Sequence, residues 1–218
     1  MNNLNKKLYL RILIIFSIAV YLIIATFFPV SENNTLFEYL KFISIIANLD
    51  SLLIFLFVKY FWKFKYFYNK LVPFPNLNGT WRGKIKSTWI DTDTGKNLDS
   101  IPVILTIKQS FISISCVMRT AEMTSHSFSS GFIIKNEEQI LKLVYSYDSN
   151  PKATIKERSA RHFGTISFNI IINNKKIELD GEYWTARKTT GNVELEFWKK
   201  ELISKYPNEM SKHPVSEK

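Results

Sequence analysis

The chain has 218 residues, of which 46% are hydrophobic and 15% aromatic, and its formal charge is +10 at pH 7. Only seven glycines and seven prolines occur, so the composition excludes a collagen-like or generally disordered chain, and the length suits one domain with an appendage. A single cysteine excludes an intramolecular disulfide and fits a reducing compartment.

The first predicted element is a membrane helix over the apolar run from Leu8 to Phe28, which contains one charge, Arg11. A bilayer requires about 20 apolar residues. The run is too long for a signal peptide, and no small-residue cleavage site follows it, so we expect the helix to be retained. A second apolar run extends from Leu40 to Val58 after a short link. The two runs predict a helical hairpin whose ends lie on one side of a membrane.

The charges around this hairpin predict its orientation. Residues 1–78 carry eight Lys or Arg and three acidic residues, a net charge of +5. Seven of these eight cations flank the entry to the first run or the exit from the second, whereas the link 29–39 contains no Lys or Arg. By the positive-inside rule, both termini are expected in the cytoplasm.

Asp50 is unusual because a charge near the middle of a membrane span costs at least about 2.5–3.5 kcal/mol. It lies close to Asn48 and Ser51 in the second run. Small and polar residues on one helix face allow close approach and hydrogen bonding. Asn48, Asp50 and Ser51 therefore indicate a self-association surface or the lining of a membrane lesion. Alternatively, Asp50 bonds within its own hairpin, through Ser17 or a backbone group, and both can hold if assembly rearranges the helices.

A stiff linker over residues 71–78, with Pro73 and Pro75, separates the hairpin from a region of alternating polar and apolar residues. The predicted domains are the hairpin at 1–70, a β domain at 79–200 and a tail at 201–218, which we expect to form one helical turn and then fray. Closure removes exposed edges, so a small up-and-down antiparallel barrel is expected, with a two-sheet sandwich as the alternative. Its eight strands are predicted near 79–90, 101–109, 111–120, 125–135, 138–148, 161–172, 175–187 and 191–199.

The first predicted strand begins with Gly79-Thr80-Trp81, which looks like the lipocalin signature. In that pattern the tryptophan closes one end of the barrel and an arginine of a late strand stacks over it. Trp81 is therefore the expected barrel plug, and Arg187 is the available arginine. The other side of the strand carries Lys and Arg, which we expect on the outer face of the barrel near acidic lipid.

Known catalytic and metal-binding patterns are not found. Asp91-Thr-Asp93-Thr-Gly95 lacks the closing glutamate of a calcium loop and the second copy of an aspartic-protease motif, and it fits a hairpin turn. The three histidines have no metal-ligand spacing. No phosphate loop, nucleophile elbow or catalytic carboxylate pair is present. We therefore expect no enzymatic activity, no metal and no cofactor, and nothing indicates DNA or RNA as a partner.

Polar residues on the predicted strands suggest a ligand site in the barrel interior. The segment 125–131 places small hydroxyls where a packed core would use Val or Leu, and 181–191 places Tyr, Thr and Arg on one side of a strand. Tyrosine stacks on bases, while Arg, Ser and Thr bind phosphates. Alternatively, the hydroxyls face solvent and Arg187 only closes the barrel. The candidate ligand-binding residues are Ser129, Tyr145, Arg161, Tyr183, Thr185, Arg187 and Thr189.

The chain resembles a known family in its membrane hairpin, its short linker and its β domain. That domain begins with LNGTWRGKIKSTW and later contains GEYWTARKTTG. The family comprises the two-transmembrane, β-strand-rich SMODS-associated effectors of bacterial cyclic-oligonucleotide antiphage systems (CBASS). The resemblance implies a cytoplasmic barrel at the bacterial inner membrane that binds a cyclic dinucleotide made by a partner nucleotidyltransferase. Binding would then drive oligomerisation in the lipid bilayer, disruption of the membrane and death of the infected cell.

Two other functions remain open at this point. A membrane-tethered, lipocalin-like barrel could carry a fatty acid or another apolar ligand, which predicts an apolar interior throughout. A structural or assembly protein would instead have a filled barrel without a cavity.

Overall fold

The computed structural model describes residues 4–28, 35–90, 95, 99–157, 159–174, 176–210 and 214. The predicted turn at 91–95 lies outside the described residues except for Gly95. The chain divides into two compact units, residues 1–75 and residues 76–218.

The first unit contains two long helices, α1 (Lys6–Phe27) and α2 (Thr35–Lys59). By length and composition, α1 and the Tyr39–Lys59 part of α2 could each cross a membrane. The two helices pack together at a small apolar cluster that includes Phe42, whereas most of their other large apolar side chains are exposed. Helices that are apolar on nearly every side, yet bury few of those side chains in protein, have the surface that lipid requires. Both predicted helices are present.

After α2 the chain folds back on α1 through two short 3-10 turns at 61–63 and 65–67. The Tyr9 hydroxyl of α1 donates a hydrogen bond to the Leu71 carbonyl oxygen. Trp62 is buried and packs edge-on against Phe74, with ring centroids 6.0 Å apart. The aromatic residues that follow the second span are therefore divided between internal packing and exposed positions such as Tyr66.

The second unit is a closed barrel in which each strand pairs antiparallel with the next and β8 pairs with β1. Closure leaves no strand edge unpaired. The predicted eight-stranded up-and-down barrel is confirmed, and the sandwich alternative is wrong. The strands are β1 (Gly79–Ser87), β2 (Ile101–Gln109), β3 (Ile114–Arg119), β4 (Met123–Lys135), β5 (Ile140–Pro151), β6 (His162–Asn173), β7 (Lys176–Thr185) and β8 (Thr190–Lys199).

Strand β1 has the two-residue alternation expected from its sequence. Trp81 and Ile85 point inward, and the cations Arg82, Lys84 and Lys86 are exposed on the outside. The outer face is not simply cationic, however, because β8 places acidic residues beside these cations. Arg82 is paired with Glu196 at 2.9 Å, and Lys84 and Lys86 are each 3.2 Å from Glu194. Attraction of this face to acidic lipid is correspondingly weakened.

Trp81 is buried at the end of the barrel where β1 begins, which we call the lower end. Its indole Nε1 donates to the Leu77 carbonyl oxygen at 3.0 Å, and its ring packs edge-on against Phe197. The predicted stacking of Arg187 over Trp81 is wrong. Arg187 lies in the β7–β8 turn, which the strand directions place at the opposite, upper end of the barrel.

After β8, residues 201–206 form an extended strap across the outside of β1, β2 and β3. The Thr80 hydroxyl donates to the Glu201 carbonyl oxygen at 2.6 Å and accepts from the Ile203 amide at 3.1 Å. The Ile203 carbonyl oxygen accepts from Thr106 at 2.9 Å and from Arg119 at 3.2 Å. Because the strap covers them, the outward-facing side chains of Thr80 and Thr106 are buried.

A chain that ends at Lys200 is expected to be less stable than the full-length protein. Removing the strap exposes Ile104, which is 0% exposed in the intact fold, and leaves the hydroxyls of Thr80 and Thr106 without their carbonyl partners. Burial and hydrogen bonding of this extent contribute about 2–4 kcal/mol. The melting temperature of the detergent-solubilised protein, followed by circular dichroism of the β signal, should fall by about 6–12 °C.

A chain that ends at Met210 keeps the whole strap and is the matched control. Equal melting temperatures for the two truncated proteins would show that the strap adds no stability.

Candidate ligand-binding site

The barrel encloses a cavity of about 270 Å³ at its upper end, where β1 ends and β2 begins. Below it, large apolar side chains fill the lower part of the barrel around Trp81 and Phe168. The lower end is therefore filled by packed side chains, and the cavity lined by the described residues lies at the upper end.

The cavity has an apolar floor and a polar upper wall. Ile85, Ile166 and Val193 contribute apolar surface, and Arg187, Glu122 and His162 are the lining residues with titratable acidic or basic groups. Between them lie seven hydroxyl side chains, namely Ser87, Thr120, Ser125, Ser149, Ser159, Thr185 and Thr189. Short hydroxyls replace the branched apolar residues that would otherwise fill a barrel of this size. They create the cavity and line it with hydrogen-bonding groups.

Two tyrosines form the aromatic part of the wall. Tyr147 comes from β5 and Tyr183 from β7, and the Tyr183 hydroxyl donates to Ser87 Oγ at 2.9 Å. Burial raises the pKa of both phenols above the ordinary value of 10.0, so both stay neutral at physiological pH. They provide flat, uncharged faces of the kind on which a base stacks.

Arg187 stands at the rim of the cavity, in the turn between β7 and β8. Its Nη1 donates to Ser159 Oγ at 2.9 Å, so the connection between β5 and β6 helps to orient the guanidinium. Partial burial lowers the pKa of Arg187 below its ordinary value, but guanidinium groups are not deprotonated in proteins. The ion pairs of the described residues do not include Arg187. Its positive charge is thus directed to the cavity rim.

His162 is buried beside this rim at the start of β6. Burial lowers its pKa below 6.5, which keeps the imidazole neutral at pH 7. Its Nδ1 lies 3.1 Å from the Ala160 carbonyl oxygen. If Nδ1 carries the proton for that bond, Nε2 is an acceptor, so His162 supplies a hydrogen-bonding group without adding charge.

Four of the seven predicted ligand-binding residues lie together in the cavity wall: Tyr183, Thr185, Arg187 and Thr189. The Thr185 and Thr189 hydroxyls are 2.7 Å apart and hold the turn that carries Arg187. The periodicity of the 181–191 segment therefore located one side of the cavity correctly. Whether these residues bind a ligand remains a prediction.

Ser129 was placed in the interior by strand parity, and the structure puts it on the exposed outer surface. A β-bulge between Ser127 and Ser129 shifts the pairing of β4 with β5 by one residue. Beyond the bulge the residues that point inward are the even-numbered ones, such as Phe132. An inserted residue reverses the alternation, so Ser125 lines the cavity and Ser129 does not.

Tyr145 and Arg161 also lie away from the cavity lining. Tyr145 points inward as predicted, but it is 2% exposed and packs in the lower core with Phe168. Arg161 immediately precedes β6 and is exposed outside the barrel, where its Nε donates to Asp148 Oδ1 at 2.9 Å. His162, the next residue, takes the inward position. These two residues are not part of the site described above.

Sequence reasoning missed several lining residues, chiefly Glu122, His162 and Ser159. Glu122 and Ser159 are in connections between strands, where a period-two pattern carries no information. His162 could have been found by extending the β6 alternation one residue toward the N-terminus, since it shares the inward side with Gly164 and Ile166. No group of three His, Cys, Asp or Glu side chains that could hold a metal ion occurs within the part of the chain that the structure describes.

The candidate self-association residues lie on α2 of the first unit. Asp50 Oδ2 accepts a hydrogen bond from Ser17 Oγ of α1 at 2.8 Å, which confirms the pairing predicted within the hairpin. Asn48 and Ser51 are exposed, and within the described part of the chain their side chains donate to carbonyl oxygens one turn earlier in α2, those of Ser44 and Ala47. Polar groups on an apolar helix are thus available for contacts between helices of different chains, but such contacts remain a prediction.

The chain is similar to a known protein family and to two named relatives. The family described as "Cap15, cyclic dinucleotide receptor domain" matches residues 72–197. A protein named CD-NTase-associated protein 15 from Staphylococcus schleiferi is 29% identical over 139 residues, which covers 63% of this chain and 68% of that protein. A protein of the same name from Escherichia albertii is 30% identical over 164 residues, which covers 72% of this chain and 80% of that protein.

The family match covers more than half of the chain and contains every residue of the cavity lining, from Ile85 to Val193. This chain therefore belongs to the Cap15 cyclic dinucleotide receptor domain family.

Proposed function

We propose that the upper cavity of the barrel binds a cyclic dinucleotide and that binding triggers membrane disruption by the helices of the first unit. The observation that carries the proposal is the position of Arg187 at the rim of a cavity lined with hydroxyls and tyrosines. A guanidinium suits a phosphodiester, and Tyr147 and Tyr183 suit a base. The family description and the names of the two relatives support the same ligand class.

The cavity is small for a whole cyclic dinucleotide. Its volume of about 270 Å³ lies just below the range of about 300–1,000 Å³ that is usual for small-molecule sites. In our proposal one base enters the cavity between the tyrosines, and the phosphates and second nucleotide stay at the rim, near Arg187. This arrangement places the charged part of the ligand where water remains accessible.

The effector mechanism follows from the first unit. Two apolar helices with Lys and Arg at their outer ends are expected to span the bacterial inner membrane with both termini in the cytoplasm. A ligand that binds the assembled state more tightly than the separate chains shifts the population toward assembly. Asn48, Asp50 and Ser51 are the proposed contacts between chains, and the resulting lesion would kill the infected cell.

This role requires a partner that makes the ligand, which we propose to be a nucleotidyltransferase activated during phage infection. It requires no catalysis by the barrel itself, no cofactor and no DNA or RNA. A lipid carrier is less consistent with the site, because a fatty-acid cavity would be apolar throughout and this one contains seven Ser and Thr hydroxyls. A purely structural barrel would have a filled interior, and this barrel has a cavity.

The full-length protein in detergent should gain thermal stability with at least one 3′,3′-cyclic dinucleotide. At 100 times the dissociation constant, the gain is about 2.7 kcal/mol. In liposomes loaded with a self-quenching dye, the same ligand should cause leakage. The linear dinucleotide serves as the control for both measurements. Absence of any stabilisation across a panel of cyclic dinucleotides would refute the proposal at its first step.

A further inference from the structure

The segment that follows α2 is basic and aromatic, and we call residues 59–70 the basic aromatic segment. It contains seven aromatic side chains and four exposed lysines, Lys59, Lys63, Lys65 and Lys70. No Asp or Glu occurs in residues 51–90 or in residues 1–28. The first turns of α1 add three exposed cations, Lys6, Lys7 and Arg11. The ion pairs of the described residues include none of these seven cations.

Packing holds the basic aromatic segment at one end of the hairpin. Trp62 is buried, and Phe67 packs edge-on against Phe57 of α2 with ring centroids 5.5 Å apart. The bond from the Tyr9 hydroxyl to the Leu71 carbonyl oxygen joins the end of the segment to the first turns of α1. The cations that precede α1 and those that follow α2 therefore lie at the same end of the first unit.

The exposed rings of the segment lie beside exposed ammonium groups. Tyr66 is 70% exposed, and Lys70 Nζ is 4.0 Å from its ring centroid. Lys59 Nζ is 5.3 Å from the ring centroid of Tyr60, which is also exposed. Phe64 is exposed between two exposed lysines in the sequence. An exposed ring next to an exposed cation suits a surface that is apolar and negatively charged at once.

The position of the segment indicates which surface this is. The Tyr39–Lys59 part of α2 is long and apolar enough to cross a membrane, and the segment begins where that part ends. The headgroup layer lies at the end of a membrane span, and aromatic rings are enriched at that depth. A zwitterionic headgroup suits the rings, but only an acidic one also carries net charge that complements the lysines.

We propose that the basic aromatic segment is a binding site for the headgroups of acidic phospholipids and selects the lipid that surrounds the hairpin. This inference goes beyond the proposed function, which requires a membrane but no particular lipid. It rests on the part of that proposal that places the hairpin in the membrane. The lysine ammonium groups contact the lipid phosphates, and the exposed rings insert between neighbouring headgroups.

The test is lipid binding by the full-length protein in a neutral detergent, counted by native mass spectrometry. The protein is titrated with dioleoyl phosphatidylglycerol or with dioleoyl phosphatidylcholine. Each lysine near an acidic membrane surface contributes about 1 kcal/mol, roughly fivefold in affinity. We expect phosphatidylglycerol to bind at least about fivefold more tightly than phosphatidylcholine. Lys63→Gln with Lys65→Gln should weaken phosphatidylglycerol binding by roughly 5- to 30-fold and leave phosphatidylcholine within about twofold.

Lys84→Gln with Lys86→Gln is the matched control. It removes the same charge, but from lysines of the barrel that each lie 3.2 Å from Glu194. The control should leave the binding of both lipids unchanged. An equal loss of phosphatidylglycerol binding in the two double variants would overturn the inference, because net charge alone would then set the affinity.

Equal binding of the two lipids by the unmodified protein would also overturn it, and this comparison does not depend on any variant folding. Stabilisation by a cyclic dinucleotide, measured in the same detergent, separates this failure from failure of the proposed ligand site. If carbonate extracts the unmodified protein from bacterial membranes, this inference and the proposed membrane location both fail.

Discussion

Replacing Arg187 by alanine is expected to reduce cyclic dinucleotide affinity by roughly 10- to 150-fold and to abolish ligand-triggered leakage. A hydrogen bond to a charged group contributes about 1.5–3 kcal/mol, and Arg187 offers its donors at the rim of the cavity without a carboxylate partner among the described ion pairs. The loss should be found with every cyclic dinucleotide, because the phosphodiester is common to all of them. The measurement is calorimetric affinity of the full-length protein, followed by dye release from liposomes.

Arg161→Ala is the matched control for this experiment. Arg161 is also an arginine near the upper end, but its guanidinium is paired with Asp148 outside the barrel. An exposed ion pair contributes little to stability, about 0–1 kcal/mol, so this variant should fold and bind normally. Weaker binding in Arg161→Ala with normal binding in Arg187→Ala would mean that the ligand sits on the outer surface and that the cavity is not the site.

The architecture of this protein could be predicted from local pattern alone. The two helices are continuous apolar runs, and the strands alternate with a period of two, so the number and order of elements follow from short segments of sequence. Closure of the barrel was inferred from the need to remove edges, and β8 does pair with β1. The strap was not predicted, because residues 201–206 have no periodic pattern and their extended form depends on distant partners such as Thr106.

The site was predictable only where strand parity is uninterrupted. It holds in β7, and Tyr183 and Thr185 were therefore placed correctly in the cavity wall. Strand parity fails at the β4 bulge, because no residue type near Ser129 indicates a bulge. Ser129 was therefore placed on the wrong face of the strand. Parity also cannot distinguish a cavity residue from a core residue, which is why Tyr145 was included. Glu122 was missed because its position depends on the folding of a turn.

The Ser17–Asp50 pair gives the membrane unit a contact that assembly could break. Ser17 Oγ lies 2.8 Å from Asp50 Oδ2, and Asp50 Oδ1 is buried without a hydrogen-bond partner in the described structure. A carboxylate near the middle of a membrane span costs at least about 2.5–3.5 kcal/mol. One hydrogen bond offsets only part of that cost, so the resting hairpin keeps an acceptor that is not satisfied. Association with another chain could supply the missing donor.

Asp50→Ala is therefore expected to abolish ligand-triggered leakage while improving insertion into the membrane. Ser17→Ala should act in the opposite direction, because it weakens the resting hairpin and leaves Asp50 for contacts between chains. Hydrogen bonds between membrane helices contribute about 0.6 kcal/mol on average and up to about 1.7 kcal/mol. Ligand-independent leakage from Ser17→Ala liposomes should accordingly rise by roughly 3- to 15-fold.

Thr26→Ala is the control for the loss of a hydroxyl from α1, because among the described residues Thr26 donates to the Leu22 carbonyl oxygen of its own helix, at 2.7 Å. Liposomes that contain Thr26→Ala should release dye at the same rate as liposomes with the unmodified protein, with and without ligand. Carbonate extraction of membranes would verify that all three variants are inserted. If Ser17→Ala matches Thr26→Ala, the Ser17–Asp50 bond does not restrain the resting state. If Asp50→Ala still leaks fully when the ligand is added, the lesion forms without this carboxylate, and assembly must use other contacts.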